Sequence, residues 1–179
     1  MASSTRVVVL LRGVNVGRAK RIAMSDFAAI LTGLGLRDVR TLLNSGNAVG
    51  TTTLAPAALP ATVTEAIEAR LGFRCDVVVR TRAEIEAVVA HDPLAGVATD
   101  PSRYLVMFLG APPAETAIDA LRAVDVAPEQ WVIEGRELYA WMPMGVNESL
   151  VSKHLARGVL GVTWTGRNVA TVSRVLAAM

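Results

Sequence analysis

A tight hairpin lies between two helix-like patterns, and that order of elements restricts the fold more than any other feature of the chain. Asp38–Leu43 and Ala48–Thr52 are short strand-like runs joined by Asn44-Ser45-Gly46-Asn47, a turn whose residues accept positive φ. Before it, Met24, Phe27, Leu31 and Leu34 recur at helical spacing, and Gly35 stands where that helix would end. Earlier still, Val7–Leu11 is apolar without interruption, as in a strand covered on both faces. After the hairpin, Pro60 suits a helix's first turn, and Val63, Ile67 and Leu71 mark one face before Gly72. Phe73–Arg80 then alternates, with Phe73, Cys75, Val77 and Val79 on one side, predicting an edge strand with one wet face. The order is β-α-β-β-α-β, the split βαβ unit of ferredoxin-like folds.

The plan then repeats. Thr81-Arg82-Ala83-Glu84 is a capping box for a helix through Ile85, Val88 and Val89, ending at His91-Asp92-Pro93. Tyr104–Leu109 predicts a strand, and Ile118 and Leu121 mark a helix. Gln130–Ile133 and Glu137–Trp141 form a hairpin about Glu134-Gly135-Arg136. Asn147 is placed to cap a helix through Leu150, Val151, His154 and Leu155, with Gly158 at its end. After a short apolar stretch, Thr165 is placed to cap a last helix lined by Val169, Val172, Leu176 and Met179. The expected class is α+β, with two similar ferredoxin-like (split βαβ) subdomains and mainly antiparallel sheets. They are assigned to residues 1–92 and 93–179.

The chain has 179 residues, 52% of them hydrophobic, which excludes disorder. Its apolar runs are too short for a membrane span or a signal core. One cysteine, Cys75, excludes an internal disulfide and fits a reducing cytoplasm, the expected location. Net charge is +2, but it is unevenly spread. Residues 1–25 carry Arg6, Arg12, Arg18, Lys20 and Arg21 and no acid; residues 149–179 carry Lys153, Arg157, Arg167 and Arg174 and no acid. All 16 acids therefore lie between them. If the ends meet, they would make a positive face on an acidic body.

In a ferredoxin-like sheet the first and third strands are antiparallel neighbours. The segment after Leu11 and the Asn44–Asn47 turn should therefore share one rim. That grouping nominates Arg12, Gly13, Asn15, Gly17, Lys20, Arg21, Asn44, Ser45 and Asn47 as ligand-binding. Guanidinium groups and glycine-exposed amides together suit an anion, phosphate above all. Arg167 and Asn168, read as the start of the last helix, would add a dipole and a further base. As simple turns, the same glycines and asparagines need no ligand at all.

Sharper chemistry is not encoded. The first loop lacks the glycine spacing and Lys-Ser/Thr ending of a phosphate-binding P-loop, and no dinucleotide fingerprint or nucleophile elbow occurs. One cysteine with His91 and His154 far apart gives no metal set, and no cofactor is expected. The central strands lack the aromatics on which RNA-binding sheets stack bases.

Leu11-Arg12-Gly13-Val14-Asn15-Val16-Gly17, with Met24, Thr41, Ser45-Gly46-Asn47 and Thr165-Gly166-Arg167-Asn168 leading to Thr171, resembles the DUF1697 family almost end to end. The resemblance implies two ferredoxin-like halves and no known activity, so no catalytic residue is carried over. Where this chain has Arg18 and Lys20, that family usually has glycine and asparagine; at Asn44 it usually has glutamine. Three readings follow. The first is a binder of a phosphorylated or nucleotide-like anionic small molecule, with or without turnover. The second is a sequence-nonspecific nucleic-acid binder using both basic ends. The third is a ligand-free interaction module or homodimer; no membrane partner is expected.

Overall fold

The computed structural model describes residues 4–17 and 19–179. In chain order the elements are β1 (Thr5–Leu11), α1 (Met24–Gly33), β2 (Arg37–Leu42), β3 (Asn47–Thr52), α2 (Leu59–Leu71), β4 (Val77–Thr81) and α3 (Arg82–Ala90). There follow β5 (Tyr104–Leu109), α4 (Glu115–Arg122), β6 (Gln130–Glu134), β7 (Glu137–Trp141), α5 (Leu150–Ala156), β8 (Trp164–Asn168) and α6 (Val169–Ala178). They form two compact units. One holds the described residues up to Ala87 together with Ser173–Met179; the other is Val88–Val172. This division puts residues 88–92 in the second unit and the last seven residues in the first, unlike a cut at 92.

The first unit has a four-stranded sheet in the order β2-β3-β1-β4, every pairing antiparallel. Strand alternation puts Val7, Val9 and Leu11 on one face, where they pack with Phe27 and Leu31 of α1 and Val63 and Ile67 of α2. Phe27, Leu31, Val63 and Ile67 are fully buried, each contributing roughly 1.5–3 kcal/mol of transfer free energy. Gly72, at φ 75, ends α2 as a left-handed cap. The second unit repeats the topology as β6-β7-β5-β8. There Leu105, Met107 and Leu109 meet Leu121 of α4 and Val151 and Leu155 of α5. This is the α+β arrangement of two ferredoxin-like sheets. No helix among the described residues is long and apolar enough to cross a membrane.

Four local expectations need correcting. β4 is an edge strand, but it begins at Val77 and has no wet face: Val77 to Arg80 are all buried, Arg80 to 1% exposure. α5 is capped by Ser149 rather than Asn147. The Ser149 hydroxyl accepts from the Ser152 amide at 2.9 Å and donates to Glu129 at 2.6 Å, and Glu129 also takes the Leu150 amide. Thr165 to Asn168 do not open a helix but form β8, and the cap of α6 is Asn168, whose Oδ1 accepts from the Thr171 amide at 2.9 Å. His154, which the helical pattern groups with the core-facing Val151 and Leu155, is only half-buried. The Thr81–Glu84 capping box is present in both directions, with Thr81 N donating to Glu84 at 2.7 Å and Glu84 N to Thr81 Oγ1 at 3.3 Å.

Candidate functional site

β1 ends where β3 begins. Leu10 lies opposite Asn47, and the Leu11 amide donates to Gly46 O at 2.8 Å. The loop after β1 and the turn before β3 therefore share one rim of the first sheet, as the topology requires. Gly13, Asn15, Gly17 and Lys20 all have positive φ, so the loop coils on itself, and the Asn15 amide closes it on Lys20 O at 3.0 Å.

Asn15 is the tie between loop and turn. Its Nδ2 donates to Ile22 O at 2.9 Å and to Asn44 O at 2.7 Å, while its Oδ1 accepts from Ile22 N at 3.0 Å. The side chain is thus a brace. Asn47 is similar: fully buried, it donates through Nδ2 to Leu42 O at 2.9 Å and to Ser45 Oγ at 3.0 Å, which sets the hairpin turn. Gly46 sits beneath both, at φ 76, against Leu11 and Val14. Asn44, Ser45, Gly13 and Gly17 are exposed around the rim.

The charges are less one-sided than the loop alone suggests. Arg12 Nη1 lies 3.2 Å from Asp76 Oδ2, and the Arg12 amide donates to Asp76 O at 2.9 Å. The two side chains are 31% and 49% exposed, so the pair is worth less than about 1 kcal/mol, yet it brings an acid into the basic rim. Asp76 precedes β4 and lies 64 positions from Arg12, so no local pattern announces it. Lys20 and Arg21 are exposed. Burial pushes the neighbouring Cys75 thiol up to about 11, with the Lys20 ammonium opposing and Asp76 reinforcing that shift. Arg18 lies outside the described residues.

The first unit thus unites Arg12, Gly13, Asn15, Gly17, Lys20, Arg21, Asn44, Ser45 and Asn47. Arg167 and Asn168 belong to β8 of the second unit. Arg167 is 8% exposed and opposite Val106; it donates to Thr165 Oγ1 at 2.9 Å and Gly166 O at 2.7 Å. Burial alone draws its pKa down to about 10. It is therefore not the exposed first-turn base that the helical reading required. Arg6, at the start of β1, donates to Ala178 O and Met179 O, each at 3.1 Å, about 20 Å along the strand from Arg12. Among the described residues no group of His, Cys, Asp and Glu could hold a metal ion.

Comparison with solved structures gives a conserved bacterial protein, SP0830, from Streptococcus pneumoniae, as similar over 98% of this chain and 99% of that one. The TM-score is 0.76 at 22% identity, a likeness of fold. Comparison with curated proteins finds no match. The model of a family described as a protein of unknown function, DUF1697, matches residues 4–139, which span the first unit's sheet and the second as far as β7. By that match, the chain belongs to the DUF1697 family.

Proposed function

We propose that the chain binds a phosphate-bearing or other anionic small ligand on the rim formed by the Arg12–Gly17 loop and the Asn44–Asn47 turn. What supports this reading most is the Asn15 side chain, which holds loop and turn together at 2.7 Å and leaves two left-handed glycines at the surface. The Arg12 and Asn15 amides are taken up within the fold, so the loop's glycine amides are the ones offered to an oxyanion in this reading. Arg12, Lys20 and Arg21 then supply charge-assisted bonds to ligand oxygens. Asp76, 3.2 Å from Arg12, moderates the positive field.

The test is thermal stabilisation of the full chain by inorganic phosphate, nucleotides and oligonucleotides, repeated with Lys20→Gln/Arg21→Gln. Both side chains are exposed, so the double variant should fold as the parent does. A bound ligand at 100 times its Kd adds about 2.7 kcal/mol, an unmistakable shift. Stabilisation by one anion class that is lost in the variant upholds the reading. Stabilisation by every oligonucleotide, abolished by salt, replaces it with nonspecific nucleic-acid binding. No stabilisation by any probe overturns it.

A further inference from the structure

The second sheet has another face. Tyr104 and Val106 alternate with the core residues Leu105 and Met107, and Tyr139 of β7 lies opposite Val106. Against this face lies a cavity of about 40 Å³ whose polar lining is Tyr104, Tyr139, His91 and Asp92. The remaining lining is valine side chains from α3, β5 and α6. Tyr104 is 5% exposed, and its hydroxyl completes no hydrogen bond among the described residues. The Asp92 carboxylate nevertheless stands close to it: burial first, then Asp92, holds the phenol far above its ordinary range. Tyr139 is pushed up to about 12 by burial first, then by Glu137, Glu134 and Asp92.

The two nearby basic side chains have partners of their own. His91 Nε2 is 3.0 Å from Glu134 Oε2, and its ring stands edge-on to Tyr139 at 5.5 Å. Arg167, opposite Val106, donates to Thr165 Oγ1 and Gly166 O and is not among the residues lining the cavity. Among the described residues Asp92 has no ion-pair partner. The cavity therefore presents a buried hydroxyl, a carboxylate, aromatic rings and an apolar wall.

We propose that this cavity takes the ammonium head of a small alkylamine, its N–H groups donated to Tyr104 Oη and the Asp92 carboxylate, its methylenes on the valines. An ammonium has three donors and no acceptor, which matches two acceptors side by side. An anion would meet Asp92 at close range. Water satisfies the polar end but gains nothing from the valines. At roughly 10–15 Å³ for each water-sized group, the space holds about three heavy atoms, the size of ethylammonium.

The proposal is tested by titrating the full chain with ethylammonium at neutral pH while following the tyrosine and histidine ring signals by NMR. Ethanol and acetate serve as matched neutral and anionic probes. A three-atom ligand binds no tighter than about millimolar, so the expected result is a saturable millimolar response to ethylammonium. Ethanol and acetate should bind at least tenfold more weakly, and Asp92→Asn should lose at least tenfold. Tyr104→Phe should also weaken binding, because it removes the hydroxyl that would accept from the ammonium. A non-saturating response, ethanol equal to ethylammonium, or unchanged affinity in Asp92→Asn would mean a water-filled cavity only and overturn the proposal.

Discussion

Replacing Gly46 by alanine tests how loop and turn are joined. A Cβ at this position would stand 2.7 Å from Leu11 Cβ and 2.8 Å from Val14 Cγ2. Neither neighbour can move cheaply: Leu11 Cβ is fixed to a central strand, and Leu11 and Val14 are 0% and 3% exposed. Such overpacking costs about 1–3 kcal/mol. The backbone adds to this, because φ is +76 and a left-handed alanine costs about 1–2 kcal/mol. The sum is about 2–5 kcal/mol. Gly13→Ala is the control, since Gly13 has nearly the same φ, +65, with nothing within 4 Å of its virtual Cβ. It should show the backbone cost alone, about 1–2 kcal/mol. Urea unfolding followed by far-UV circular dichroism reports the difference. Tryptophan fluorescence would not serve, because Trp131, Trp141 and Trp164 all lie in the second unit. With a slope near 2 kcal/mol per molar, Gly46→Ala should lower the midpoint by about 1–2.5 M and Gly13→Ala by about 0.5–1 M. Equal shifts would show that Gly46 is not pressed against β1, and the close-packed junction would be refuted.

Three further predictions concern the first unit. Asn15→Gly keeps the positive φ but removes both side-chain donors, so stability should fall by about 1–3 kcal/mol in urea titration; an unchanged midpoint would mean that Asn15 holds nothing. Arg6→Ala removes the bonds to Ala178 O, Met179 O and Thr51 Oγ1, so amide hydrogen exchange should accelerate selectively over Ser173–Met179. Acceleration spread evenly over the chain would contradict that local role. Cys75, with its pKa raised from 9.0 to about 11, should react with iodoacetamide at pH 9 about fifty-fold more slowly in the folded chain than in urea. The unfolded thiol ionises first, so this group's stabilisation is complete below about pH 9 and is lost as pH rises toward 11. Equal alkylation rates would place the thiol at the surface.

The first unit was largely legible because its signals are local. Turn residues Asn44 to Asn47, the terminating Gly35 and Gly72, and helical spacing each act within a few positions, and together they leave one sheet order. Where the fold departs from that reading, a distant partner decides. Trp164 to Asn168 has neither an apolar run nor a clean alternation, and it is a strand only because β5 needs a second neighbour. Ser149 replaces Asn147 as a cap because Glu129, 20 positions earlier, grips its hydroxyl. Arg80, on the side that alternation leaves to water, is buried and donates to Val79 O at 3.0 Å.

The same distinction runs through the candidate site. That loop and turn meet follows from strand order, so proximity could be derived. What each residue does there could not be. An asparagine that braces a loop, one that sets a turn and one that holds a ligand are alike in sequence, and Asn15 and Asn47 are engaged by backbone oxygens and a serine. Asp76 is further from sight, since nothing near it points back to Arg12. Rigid parts and charged parts are therefore separated on this rim: the braces fix the backbone, while Lys20 and Arg21 extend on flexible stems into solvent. If the rim binds an anion as proposed, backbone amides would define where an oxyanion sits, and the bases would add attraction without fixing its shape. On that division, affinity at the rim should weaken with salt while the order of preference among anions stays the same, because salt screens the bases and leaves the amides in place.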